Sequence, residues 1–174
     1  PVSAGHARHS YTLSARESTA MPTPVYMDIA EAPGSVEIAG REATIEIIEM
    51  DHDVHIPTDI HSGRSSGVRQ HGRMTVRAAL ARATPMLHKA VTEGMTFPEV
   101  LFHFYQIDDT GTEVEYYTIT MERVKVAAVK LDVPNVKNTL KEHYPHMVEY
   151  SFVYGAITWT FVDGAIEHTD DWVA

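Results

Sequence analysis

Three histidines and three aspartates crowd one short run, "EMDHDVHIPTDIH", from Glu49 to His61. His52, His55 and His61 stand among Asp51, Asp53 and Asp59. Imidazole nitrogens and carboxylate oxygens are the ligands that zinc takes, and a zinc-bound water is a hydrolytic nucleophile near neutral pH. These residue types therefore permit a small metalloenzyme built on His52, His55 and His61. The spacing supports it weakly. A metal-binding histidine pair converges when it sits on one face of a helix, and Pro57 disfavours a helix here. On a strand, positions 52 and 55 point to opposite faces. A solvated polar loop accounts for the same residues without any ligand.

Other chemistry is thin. There is no G-x-S-x-G elbow, no P-loop and no G-x-G-x-x-G run. Asp108 and Asp109 are adjacent carboxylates, but they sit where a turn is expected and where acidic residues serve the turn itself. Asp170 and Asp171 read as solvated. Arg64, Arg69 and Arg73 form a small basic stretch. They suit a solvated loop or a charge-complementary contact with an acidic face of another subunit.

The elements that must position these residues are mostly strands. "VYMDIA" (25–30) places Val25, Met27 and Ile29 on one face. "ATIEIIEM" (43–50) alternates around Ile45 and Ile47, as a half-buried strand does. "RMTVRAAL" (73–80) sets Met74, Val76 and Ala78 against Arg73, Thr75 and Arg77. One helix is signalled in "TPMLHKAVTEG" (84–94): Thr84 caps it, Pro85 takes its first position and Gly94 ends it. Met86, Leu87, Ala90 and Val91 would form its buried stripe. Strands resume with "EVLFHFYQI" (99–107), a turn at Asp108–Gly111, and a long β-rich run over 112–133. Residues 131–146, with two prolines, read as a loop. A last hairpin turns at Asp163-Gly164. Strands recurring without helices between them argue against a parallel βαβ sheet. The expectation is a mainly β protein: a small antiparallel β-barrel, which removes edge strands, with one flanking α-helix and a long protruding loop.

That loop runs from Asp51 to Gly72. Unstructured loops beyond about 12–15 residues are usually functional or disordered. Val54, Ile56, Ile60 and Val68 are spaced through it, and a disordered linker needs none of them. It reads as an arm that packs on a neighbouring subunit.

Bulk properties narrow the function further. A chain of 174 residues suits one domain. It has no cysteine, which excludes disulfides, thiolate catalysis and cysteine-ligated zinc. The formal charge of −10 argues against nucleic acid and against an anionic membrane surface. No apolar run approaches the roughly 18 residues of a membrane span. Residues 1–20 are polar, lack the apolar core of a secretory signal, and are expected to be an added extension. Residues 21–174, starting at a natural-looking Met21, are expected to be the domain.

The residues of the arm carry a resemblance. His52, Val54, Ile56, Pro57, Thr58, Asp59, Gly63, Gly67, Arg69 and His71 follow a pattern similar to that of the hemolysin-coregulated protein family, the tube protein of bacterial type VI secretion systems. The likeness continues through "TPMLHKAVTEG", "FHFYQIDDTGTEVEYYTITMERVKV" and "ITWTFVDGAIEHTDDW", so it spans about Met21 to Trp172. It departs in "HGRMTVRAALARATP", where Gly72, Arg73 and Arg82 stand and a family acidic residue is missing. The resemblance implies a β-barrel that forms hexameric rings, with rings stacked into a hollow tube. The tube works with sheath and spike proteins, is exported from the bacterial cytoplasm without a signal peptide, and can hold effector proteins in its lumen. It implies no catalytic residue, no metal and no cofactor. His52, His55, Ile56, Pro57, Thr58, Asp59, Arg64, Arg69 and His71 would then serve the assembly interface.

Overall fold

The computed structural model describes residues 23–133, 135, 137 and 145–172. The expected extension at 1–20 and most of the expected loop at 131–146 lie outside the described residues.

Among the described residues ten strands and one helix run in the order β1 (Val25–Asp28), β2 (Ile45–Asp51), β3 (Val54–His55), β4 (Gln70–His71), β5 (Met74–Ala79), α1 (Thr84–Glu93), β6 (Thr96–Ile107), β7 (Glu113–Asp132), β8 (Met147–Val153), β9 (Ala156–Phe161) and β10 (Ile166–Asp171). The main sheet has the order β10-β9-β7-β6-β1-β2-β5-β8, and β8 pairs again with β7. That second pairing closes six strands into an antiparallel barrel. The length of β7 makes closure possible. Residues 117–122 pair with β9, whereas 125–132 curl round to β8. A register shift between Val126 and Ala128 eases the bend, as bulges do.

Side-chain alternation fills the interior. Met27, Ile45, Met74, Val76, Val100, Phe102, Met121, Tyr150 and Phe152 are buried in one core. The sequence alternation at 45–47 and 74–78 therefore marked the inward face correctly.

The helix ends as expected, with Gly94 in the left-handed region at φ 68°. Its start differs. Ala83 is the capping position and Thr84 lies inside the helix, so Thr84 does not cap it. The Thr84 hydroxyl instead meets the Tyr150 hydroxyl at 2.7 Å and accepts the Ala81 N–H at 3.2 Å. A buried tyrosine needs a partner, and Thr84 supplies it. The expected stripe is also narrower. Leu87 and Ala90 are buried, but Val91 is exposed, because α1 turns only one narrow edge to β7.

Both expected hairpins form. At the first, Gly111 takes φ 82° and the Asp108 carboxylate accepts the N–H groups of Thr110 and Thr112. These contacts hold the Asp108 carboxyl below its ordinary range, the Thr110 hydroxyl contributing most. Asp108 is thus a turn residue. The second hairpin joins β9 to β10 through Asp163-Gly164, and β10 forms an edge of the main sheet. The barrel closes without removing every edge.

Candidate functional site

The arm between β2 and β5 is a hairpin of its own. Val54 pairs with His71 and His55 with Gln70, and a further bridge joins Thr58 to Ser65. At the tip the Asp59 N–H donates to the Arg64 carbonyl at 2.9 Å, and the Gly63 N–H donates to the Asp59 carbonyl at 2.8 Å. The Asp59 carboxylate accepts the N–H of His61 at 2.7 Å and of Ser62 at 3.1 Å. Those amides, His61 first, hold the Asp59 carboxyl below its ordinary range. Pro57 receives the Ser66 N–H on its carbonyl at 2.8 Å. The conformation of the arm is therefore set by its own backbone, turn and cross-strand bonds.

The root of the arm is tied to the barrel. The His52 Nε2 meets the Tyr154 hydroxyl. From β4, on the other side of the arm, the His71 Nδ1 lies 3.4 Å from the same hydroxyl, and its Nε2 lies 3.0 Å from Asp170. One arrangement of hydrogens satisfies the whole chain. The His52 Nε2–H donates to Tyr154, the Tyr154 hydroxyl donates to His71, and the His71 Nε2–H donates to the Asp170 carboxylate. Arg69 grips Asp170 through Nε and one Nη, each at 2.5 Å. The grip is bidentate, the stronger form of such pairs. The His71 ring stacks on Trp172 with centroids 3.8 Å apart and planes at 13°. Trp159 flanks both histidines at 6.4 Å. Between arm and barrel opens a cleft of about 700 Å³, lined by Val68, Gln70, Val153, Tyr154 and Trp172 among others.

The electrostatics follow from this packing. Burial, helped by neighbouring His71, pushes the His52 imidazole below its ordinary 6.5, while Asp53 and Asp51 pull weakly the other way. Burial raises the Tyr154 phenol, and Asp53 and Asp170 add to the shift. The Arg69 guanidinium, with help from His71, holds the Asp170 carboxyl down.

The nine expected interface residues divide into a root group of three, a projecting group of five, and His55. His52, Arg69 and His71 gather at the root, bonded within their own chain. Ile56, Thr58, Asp59 and Arg64 lie in the projecting half, exposed, with Pro57 half-buried. His55 is exposed and bonds Asp53 at 2.8 Å. The three histidines of a metalloenzyme are not brought together. His52 goes to Tyr154, His55 to Asp53, and His61 to the surface. Among the described residues no group of three or more His, Asp or Glu side chains could hold a metal ion. Asp170 is not the solvated residue expected, since Arg69 and His71 draw it into the root. Tyr154, Trp159 and Trp172 were not foreseen as site residues. One signal could have found two of them: the chain has only 2 tryptophans, one in β9 and the other directly after β10.

Fold and site together define a class, a small closed β-barrel protein that presents a hairpin arm pinned at its root. Comparison with known proteins gives the family. Residues 26–161 match the family described as "Type VI secretion system effector, Hcp", and the chain belongs to it. It is similar to the "Major exported protein" of Pseudomonas aeruginosa, at 28% identity over 166 residues, covering 87% of this chain and 96% of that one. Among solved structures it resembles a mutant of Hcp1 from the E. coli EAEC 042 pathovar, at 34% identity and a TM-score of 0.75, covering 88% of this chain and 99% of that one. It shares its fold with the secreted protein Hcp3 of Pseudomonas aeruginosa, at 24% identity and a TM-score of 0.71, covering 88% and 100% of the two chains.

Proposed function

We propose that this chain is the tube subunit of a type VI secretion machine, forming hexameric rings that stack into a hollow tube. The observation that carries the proposal is the arm. Its backbone is ordered by its own hydrogen bonds, yet Ile60 is 91% exposed and Val68 80% exposed. Ile56 and Val54 add to the same apolar surface. An ordered projection that holds apolar side chains in water is a contact surface awaiting a partner. A second copy of the chain is the simplest partner, and a head-to-tail contact between identical copies gives rings or stacks according to its rotation. Among the described residues β10 is an edge of the main sheet, and a sheet edge can take a further strand.

In this role the subunit assembles in the cytoplasm with sheath and spike proteins. It then leaves the cell and carries effector proteins in the ring lumen. The relative named as a major exported protein supports export. The interface residues are Ile56, Pro57, Thr58, Asp59 and Arg64, with His52, His55, Arg69 and His71 setting the pose of the arm. Such a function asks for no catalytic residue. Light scattering on a sizing column, with electron microscopy of the same fraction, tests it. Rings of six subunits are expected, and a clean monomer at high concentration would overturn the proposal.

A further inference from the structure

The arm leaves the barrel where β2 ends, at Asp51, and rejoins it where β5 begins, at Met74. These two strands pair antiparallel, Asp51 opposite Thr75 and Ile47 opposite Ala78. Their other ends, at Ile45 and Ala79, lie roughly 20 Å away at about 3.3 Å per residue. A second groove opens there, about 290 Å³ in volume. Its rim holds Val36, Ile38, Ile48 and Leu80, of which Ile38, Ile48 and Leu80 are exposed. Glu37 and Glu46 also line it, exposed, and among the described residues neither has an ion-pair partner. The arm tip is the complement. It carries Ile56 and Ile60 with Arg64, whose guanidinium likewise has no ion-pair partner among the described residues.

We infer that this groove receives the arm of a second copy of the chain, Ile60 seating against Ile38, Ile48 and Leu80 while Arg64 meets Glu37 or Glu46. The inference rests on the stacking proposed above and names the surface that stacking uses. Arm and groove stand at opposite ends of one strand pair. Each contact therefore leaves an arm free at one end and a groove free at the other, and the assembly propagates. An arm-to-arm contact would be self-complementary and stop at two copies. Apolar seating supplies the attraction, and the charge pair fixes the register.

The absence of native cysteine makes the test clean. A chain carrying both Ile60→Cys and Leu80→Cys is concentrated, then linked by oxidation or by a short bifunctional maleimide. A ladder of many covalently joined copies is expected. An equal mixture of the two single variants should yield mixed dimers only. Separately, Arg64→Glu should lower the stacked fraction several-fold, and adding Glu37→Arg or Glu46→Arg should recover most of it. Stacked particles without a ladder, or Ile60→Cys chains linking only to one another, overturn the groove and leave stacking intact. Rings that never stack under any condition overturn both.

Discussion

Tyr154 holds two histidines on one hydroxyl, His52 from the link between β2 and β3 and His71 from β4, so a single oxygen ties both sides of the arm to the barrel. Tyr154→Phe keeps the ring and removes that oxygen. The variant should stay folded and lose about 1–2 kcal/mol in urea unfolding, because His52 and His71 are left without a shared partner. Faster amide exchange should appear at Gln70–Gly72, while the interior strands stay protected. His52 adds a pH dependence whose sign is fixed by its burial. The folded chain holds this imidazole below its ordinary 6.5, so the unfolded chain takes up the proton at a higher pH. By linkage, the stability that neutral His52 contributes is complete above 6.5 and is lost as the pH falls through the folded value. Melting curves between about pH 5 and 8, the range where histidine changes charge, measure this. The gap in Tm between the native chain and His52→Gln should narrow toward the acid end. A gap that stays flat would mean that burial does not set the charge of His52.

The arm works as an element because its root is crowded and its tip is not. Gly72 donates its N–H to the Asp53 carbonyl at 2.9 Å, and a Cβ there would stand 1.9 Å from the Asp53 carboxylate. Gly72→Ala should therefore swing the exposed Asp53 carboxylate off His55 and cost at most about 1 kcal/mol, the scale of an exposed pair. Asp53→Ala in the same chain should return most of that loss, and parallel urea titrations compare the two. At the tip a Cβ on Gly63 would meet nothing within 4 Å. Shortening Ser62–Ser66 should leave the melting temperature of the barrel unchanged and reduce stacked particles in micrographs; undiminished stacking would remove the tip from the interface. Much of this element was legible in the sequence. The spaced apolar residues Val54, Ile56, Ile60 and Val68 marked it as an arm and not a disordered linker. Its anchor was not legible. Arg69 and Asp170 are 101 positions apart, and His52 and Tyr154 are 102 apart. No local period connects residues that meet only when a barrel closes. Thr84 misled for a related reason: its hydroxyl had a capping geometry available and took Tyr150 across the core instead.

At the scale of the whole molecule, alternation made the barrel readable because closure lets each strand bury only one face. The extra edge at β10 was hidden, since the same alternation describes a strand inside the barrel and one hung beside it. Charge is the remaining global property, and it bears on assembly. Each copy carries −10, so the proposed ring of six would concentrate negative charge. Repulsion between exposed charges reaches about 30 Å at 0.01 M salt and about 8 Å at 0.15 M. The inferred contact joining Arg64 to Glu37 or Glu46 would be short and partly desolvated by the apolar seat, so screening would weaken it less than it weakens the diffuse repulsion. Raising salt from roughly 0.01 M to roughly 0.15 M should therefore increase the assembled fraction in light scattering. If assembly instead falls as salt is added, paired charges at the interface outweigh the net charge, and the apolar face of the arm is not what holds the copies together.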